Sequence, residues 1–329
     1  SSDKPLPRPI AEFEPVKSIV VSEDYFQGGY DAINLTRAIQ NAGAELIIAT
    51  ANEHSESLKM LAEAGLPQEQ LRRIKVRRLP HGNLWMRDYG PLFVRTQGGP
   101  DVIDFIWGGR PPESENFPIT LAKSLHRPIH PLPVEMDGGN FLSDGTTCVT
   151  SRDTSAEYKL NPSVFSAIGC QHLVVLENPP HPHIDMWLKI VGPGKALVGE
   201  LDPTALAALK RNYGGHIPDD QKQLADRLEA MAHALTPYFS IERIPIPVSY
   251  RGTFRTYTNS LLVNGTAIVP RFKSYGWGYD QYPDAPEQRD YEKVVEDRYA
   301  AHGFSVTFVD ADGLIFNGGA FHCIALQIP

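Results

Sequence analysis

The sequence predicts an α/β fold assembled from five similar units, and three observations predict it. A short apolar strand led by a polar residue, then a Gly-containing turn, then a second apolar strand, recurs five times. Segments of helical period, with acidic or proline starts and glycine stops, fall between these hairpins. Single strands follow several of the helices, so the unit reads strand, strand, helix, strand.

Taken in order, SIVV (18–21) and LIIAT (46–50) are strand-sized apolar runs, far below the roughly 20 residues of a membrane-spanning helix. The hairpins then begin with WMRDYGPLFVRTQGGPDVIDF at Trp85. They continue with DGGNFLSDGTTCVTS at Asp137, HIDMWLKIVGPGKALVGEL at His183 and YTNSLLVNGTAIVPRF at Tyr257. The fifth, GGAFHCIALQIP, lacks a return strand. Helices are expected in DPTALAALKRNYGG (202–215), DDQKQLADRLEAMAHAL (219–235) and PEQRDYEKVVEDRYAAHG (286–303). HLVVLE, FSIERIPIP and FSVTFVDAD read as the single strands.

The polar residues that lead the five hairpins are Asp88, Asn140, Asp185, Asn259 and Cys323, at irregular intervals of the size seen in repeat architectures. One such unit cannot bury its apolar faces alone. Five set around an axis close a ring with protected sheet edges and bring the five leading residues to one face of its centre. A doubly wound α/β sheet competes on the same alternation of elements.

The 329 residues, 42% hydrophobic and 21% charged, contain no linker or low-complexity run and read as a single domain, 1–329. A net charge of −8 argues against a nucleic-acid partner and suits a cationic substrate. No membrane partner is expected. Cys148, Cys170 and Cys323 cannot all pair, and their spacing matches no disulfide framework or zinc pattern, so at least one thiol is free. Cys148 and Cys170 lack Gly or His neighbours and read as structural. The chain opens SSDKPLPRP, which reads as a processed or trimmed start, and a secreted or cell-envelope location is favoured over a cytoplasmic one.

If Asp88, His183, Asp185, Asn259 and Cys323 share a pocket, its chemistry is definite. A thiolate attacks and a histidine handles protons. Two carboxylates grip a planar guanidinium by paired hydrogen bonds and hold its carbon before the sulfur. Each residue also has a plain structural reading: Cys323 as core, Asp88 as a partner of Arg87 or a turn cap, Asn259 as a turn cap. His181, His183 and Asp185 form an H-x-H-x-D run resembling that of metallo-β-lactamase-like hydrolases. Met186 stands where that family carries a further His, and no later His cluster compensates.

WMRDYGP, GGNF, HIDMWLKIV, YTNSLLVNGTAIVP and GGAFHC together resemble the agmatine deiminase and Porphyromonas-type peptidylarginine deiminase family of the guanidino-group-modifying superfamily. The resemblance runs from about residue 80 to the end of the sequence. It implies a five-bladed α/β propeller of ββαβ units in pseudo-fivefold arrangement, with no metal and no organic cofactor. It implies Cys323 as nucleophile through a covalent thiouronium, and His183 as general acid and then base. Asp88 and Asp185 would grip the guanidinium, with Asn259 lining the site. Trp85 would lie along the substrate's aliphatic stem, its other reading being core packing.

The loop DFIWGGRPPESENFP (104–118) resembles one that carries two arginines for a C-terminal carboxylate. Arg110 matches the first, and Pro112 stands at the second. Arg251 and Arg255 are candidates for the missing charge, or plain solvated arginines. The tail ALQIP replaces the Thr-Gln-Gln run of agmatine deiminases. These departures put conversion of peptidyl-arginine to peptidyl-citrulline first, with arginine-containing peptides or proteins as partners. Agmatine, a small guanidino compound, comes second. Amidinotransferase and non-catalytic arginine-binding readings follow, and the immunoglobulin-like domain of the Porphyromonas-type enzyme is not expected.

Overall fold

A computed structural model describes residues 7–108, 112–152, 162–248, 253–272 and 291–329. Arg110, Arg251 and the first part of the expected helix 286–303 lie outside the described residues.

The described residues form five small mixed sheets. In the first, Leu92–Thr96 pairs antiparallel with Gly99–Ile106, which pairs parallel with Ile129–Glu135 after the helix Phe117–Leu125. Arg8–Pro9 adds to the outer edge of Leu92–Thr96. The second sheet repeats the order with Phe141–Ser143, Thr147–Arg152 and His172–Glu177. The third uses Leu188–Gly192, Lys195–Leu201 and Ser240–Ile246, with the helices Pro203–Asn212 and Asp219–Leu235 before its last strand. Leu261–Val263, Thr266–Arg271 and Ser305–Asp310 make the fourth, with the helix Glu292–Ala300. One continuous doubly wound sheet does not form.

Local chemistry sets these hairpins. The fourth turns through Asn264 and Gly265, both with positive φ (49° and 82°), the backbone that a two-residue turn needs to match strand twist. Middle strands such as Lys195–Leu201 are covered on both faces, so their apolar runs are nearly continuous instead of alternating. Ala196, Leu197 and Val198 are fully buried, and each side chain of Leu or Val size contributes about 1.5–3 kcal/mol by leaving water.

The fifth sheet explains the missing return strand. Ala325–Ile328 pairs antiparallel with Ser18–Ser22, which pairs parallel with Glu45–Thr50 and, through it, with Ile74–Arg78. The partner comes from the opposite end of the sequence, beyond the reach of any local hairpin signal. Cys148 and Cys170 are disulfide-bonded, with Cα atoms 5.6 Å apart. This corrects the expectation that their spacing fits no disulfide. Their meeting follows from the parallel register that sets Cys148 opposite Leu173, which residue spacing does not reveal. Among the described residues no helix is long and apolar enough to cross a membrane.

Four of the five leading residues sit on a single helical turn just before their strand: Met86–Tyr89, Gly138–Asn140, Ile184–Met186 and Phe321–Ile324. The Cys323 turn packs on the Asp88 turn, that on the Asn140 turn, and that on the Asp185 turn. Nδ2 of Asn259 then bridges the carbonyl of Asp185 (3.4 Å) and Sγ of Cys323 (3.2 Å), completing a cycle of contacts.

Candidate active site

Cys323 is the free thiol of the three cysteines and is 3% exposed. Asn259 fixes it from two sides. Its Oδ1 accepts the backbone N–H of Ala320 (3.1 Å) and of Cys323 (3.2 Å), while Nδ2 donates to the sulfur. Asn259 is therefore no turn cap; it orders the backbone around the Cys323 thiol. Gly319 leaves the space in front of it. A Cβ at that position would lie 2.9 Å from Sγ and 2.7 Å from Cζ3 of Trp85, which places the indole beside the thiol.

The second half of the site gathers around Gly139. The point where its missing Cβ would sit is 3.1 Å from Oδ2 of Asp185, 3.1 Å from Nδ1 of His183 and 3.2 Å from Oδ1 of Asp88. Two carboxylates and an imidazole thus border one small opening that only glycine keeps empty. Oδ1 of Asp88 and Oδ1 of Asp185 are buried and make no hydrogen bond. Buried acceptors without partners are rare in native proteins and call for an explanation. Oδ2 of Asp185 lies 3.7 Å from the thiol.

His183 is tied down at its far nitrogen. Nε2 donates to Oδ2 of Asp137 at 2.9 Å, and Nδ1 lies 3.5 Å from Oδ1 of Asp88. Nε1 of Trp107 donates to the other oxygen of Asp137 at 2.8 Å, so that carboxylate is itself oriented. The fixed Nε2–H directs Nδ1 toward the opening.

The fields in this cluster are strong. Burial by itself would lower the pKa of His183, but the hydrogen bond from Asp137 and the nearby Asp88 and Asp185 push it up to about 9. Burial, then the charges of Asp137 and Asp185, push Asp88 up to about 7. The Cys323 thiol is driven well above its usual range, first by burial and then by Asp185 and Asp88. Burial also opposes ionisation of Asp185, yet the His322 hydrogen bond and charge hold it below the ordinary carboxylate value. The empty site is thus an anionic socket beside a protonated thiol, and a cation entering it would relieve both.

A family model described as Porphyromonas-type peptidyl-arginine deiminase matches residues 10–329. The chain belongs to that family. Its members are hydrolases acting on C–N bonds of amidines. Among relatives of this deiminase, a Legionella pneumophila protein provisionally named agmatine deiminase is 24% identical over 290 residues, covering 78% of this chain and 75% of that one. A crystal structure provisionally described as a peptidyl-arginine deiminase superposes with a TM-score of 0.74 at 18% identity, covering 98% of this chain and 99% of the other. The C. jejuni agmatine deiminase superposes at 0.72 and 15% identity, covering 98% and 96%. At such identities these likenesses establish the fold.

Within the deiminase chain, Cys323, His183, Asp185, Asp88, Asn259 and Trp85 come together as the sequence predicts. Asn140 does not join them. Its amide is spent on Ser151, donating to the carbonyl at 2.9 Å and accepting the hydroxyl at 2.8 Å. Arg87 turns away from Asp88 and donates to the His322 carbonyl (3.2 Å) and to Oε1 of Gln327 (3.0 Å). Arg255 is 1% exposed with its guanidinium 5.3 Å over the Phe316 ring, which corrects its reading as a solvated arginine. His181 gives Nδ1 to the backbone N–H of His183 at 3.1 Å. Among the described residues no three His, Cys, Asp or Glu side chains are grouped to hold a metal ion. Sequence reading missed Asp137 and His322, although the one opens the DGGN run and the other sits in the GGAFHC run beside Cys323, and it missed Glu12, which no local motif marks.

Proposed function

We propose that this protein hydrolyses a substrate guanidinium to a ureido group and ammonia, with Cys323 as nucleophile. The observation that carries the reading is a pair of buried carboxylate oxygens, one on Asp88 and one on Asp185, that make no hydrogen bond and lie in a cluster with a free thiol. A guanidinium supplies the donors both lack.

The cation settles between Asp88 and Asp185, cancels the charges that keep the thiol protonated, and lets the sulfur release its proton to solvent as the substrate enters. The thiolate attacks the guanidinium carbon and forms a C–S bond, with the electron pair moving onto nitrogen. His183 delivers its proton to the departing nitrogen, and ammonia leaves with the C–N bonding pair. The resulting thiouronium takes up water, whose proton passes to the now neutral His183. Collapse breaks the C–S bond and returns the thiolate, and the new hydroxyl gives its remaining proton to solvent, leaving the neutral ureido product. Asp137 holds His183 for both transfers, and Trp85 covers the substrate's aliphatic stem.

For the substrate we place agmatine, or a small guanidino compound like it, ahead of peptidyl-arginine. The relatives named agmatine deiminase support this order, reversing the sequence expectation. Burial of Arg255 also weakens the case for a carboxylate clamp there. The cycle of contacts among the leading turns supports a five-bladed propeller with the site at its axis. The Cys148–Cys170 disulfide fits an oxidising compartment and so a secreted or cell-envelope location.

The test is product formation from agmatine, from a peptide ending in arginine and from the same peptide with arginine internal, chelator present. Ureido product and ammonia from agmatine, lost in Cys323→Ala, is expected. Full product from Cys323→Ala, or none from any of the three substrates, overturns the reading.

A further inference from the structure

Behind the thiol lies a row of buried charged side chains that the reaction above does not use. Nδ1 of His322 donates to Oδ2 of Asp185 at 2.6 Å, and Nε2 of His322 contacts Oε1 of Glu12. Oε2 of Glu12 receives Nζ of Lys189 at 2.7 Å. His322 and Lys189 are fully buried. A neutral imidazole carries a single N–H, so His322 serves two carboxylates only with hydrogen on both nitrogens. Glu12 supplies the counter-charge for that state, away from water.

Glu12 is itself held in place. Arg8 meets both oxygens of Glu14 at 2.7 Å, and Glu14 accepts the N–H of Ala11 at 2.8 Å, fastening the turn that carries Glu12. Lys189 also donates to the carbonyl of Ser260 at 3.0 Å. Arg87 holds the His322 backbone from the other side.

We infer that Glu12 and His322 are positioning residues for substrate: through the contact to Oδ2 they hold the Asp185 carboxylate in one orientation at the edge of the opening where the guanidinium sits. The inference rests on the guanidinium reading above. Without Glu12, the second nitrogen of His322 loses its partner, the imidazole is no longer fixed from both sides, and Asp185 is free to rotate. The deficit then falls on binding of the cation.

Binding of agmatine is measured by calorimetry in the Cys323→Ala background, which holds substrate without turning it over. Glu12→Gln and His322→Gln are each expected to weaken binding about ten- to a hundredfold, the loss of one hydrogen bond to a charged group. Combining them should add little to the His322→Gln loss, because both act through one contact. Glu12 also neutralises Lys189, and Glu12→Gln with Lys189→Met removes both charges of that pair together, which protects the fold. Weakened binding in this double variant supports the inference. Binding at the parent value in Glu12→Gln, or restored to it by Lys189→Met, overturns it and leaves Glu12 a mere counter-ion. If the Cys323→Ala parent binds no guanidino compound at all, the guanidinium reading falls, and the inference with it, by a result distinct from either.

Discussion

Nε2 of His183 lies 2.9 Å from Oδ2 of Asp137. That contact leaves the imidazole charged in a buried place where a lone histidine would be neutral, and it fixes which nitrogen faces the substrate. Asp137→Asn should cut kcat/KM about a hundredfold or more, as expected for an impaired general acid. Against burial, the Asp137 hydrogen bond joins Asp88 and Asp185 in pushing the pKa of His183 up to about 9, so its removal should move the limb for loss of that proton to lower pH. A pH–rate profile reads this directly, and an unmoved limb would count against the assignment.

Asp88 gives a prediction about stability. Its pKa rises from 3.8 unfolded to about 7 folded, so the native state binds the extra proton between those values. Stability present below about 3.8 is therefore lost as pH rises to about 7. Asp88→Asn escapes the loss. Its unfolding free energy, read by denaturant titration, should exceed that of the parent by a margin that grows from about pH 4 to about pH 7 and then levels, reaching a few kcal/mol, while activity disappears. A constant margin across that range would refute the assignment.

Gly139→Ala puts a methyl group at the point that borders Asp185, His183 and Asp88. Its neighbours there are side-chain atoms at 3.1–3.2 Å, so the fold should tolerate it, with a small shift in thermal midpoint. Activity should fall about a hundredfold through a raised KM, because the guanidinium loses its seat. Gly319→Ala differs: contacts of 2.7–2.9 Å with Trp85 and Cys323 should cost stability as well.

The sequence carried much of this arrangement. Hairpins such as Leu261–Val263 with Thr266–Arg271 announce themselves through Asn264 and Gly265, and the residues leading them fall where strands begin. Asp88, Asp185, Asn259 and Cys323 were legible for that reason. What escaped is set by contacts between distant segments. Cys148 meets Cys170 through a strand register, and Glu12 meets His322 across nearly the whole chain, with no spacing to betray either. Asn140 shows the converse. It occupies the same place in its unit as the others, yet its amide closes its own hairpin.

The pairing of Ser18–Ser22 with Ala325–Ile328 has a consequence for how the protein is born. On the ribosome the early strand emerges with one edge open and must wait for a partner, Ala325–Ile328, that follows it only after the other four sheets. Cys323 is made just ahead of that partner. A partly synthesised chain therefore carries the acids and the histidine but neither the thiol nor the strand that seats it. Catalytic competence arrives in one step with closure of the fifth sheet, and until then the exposed edge of Ser18–Ser22 is the place where the nascent chain is open to mispairing.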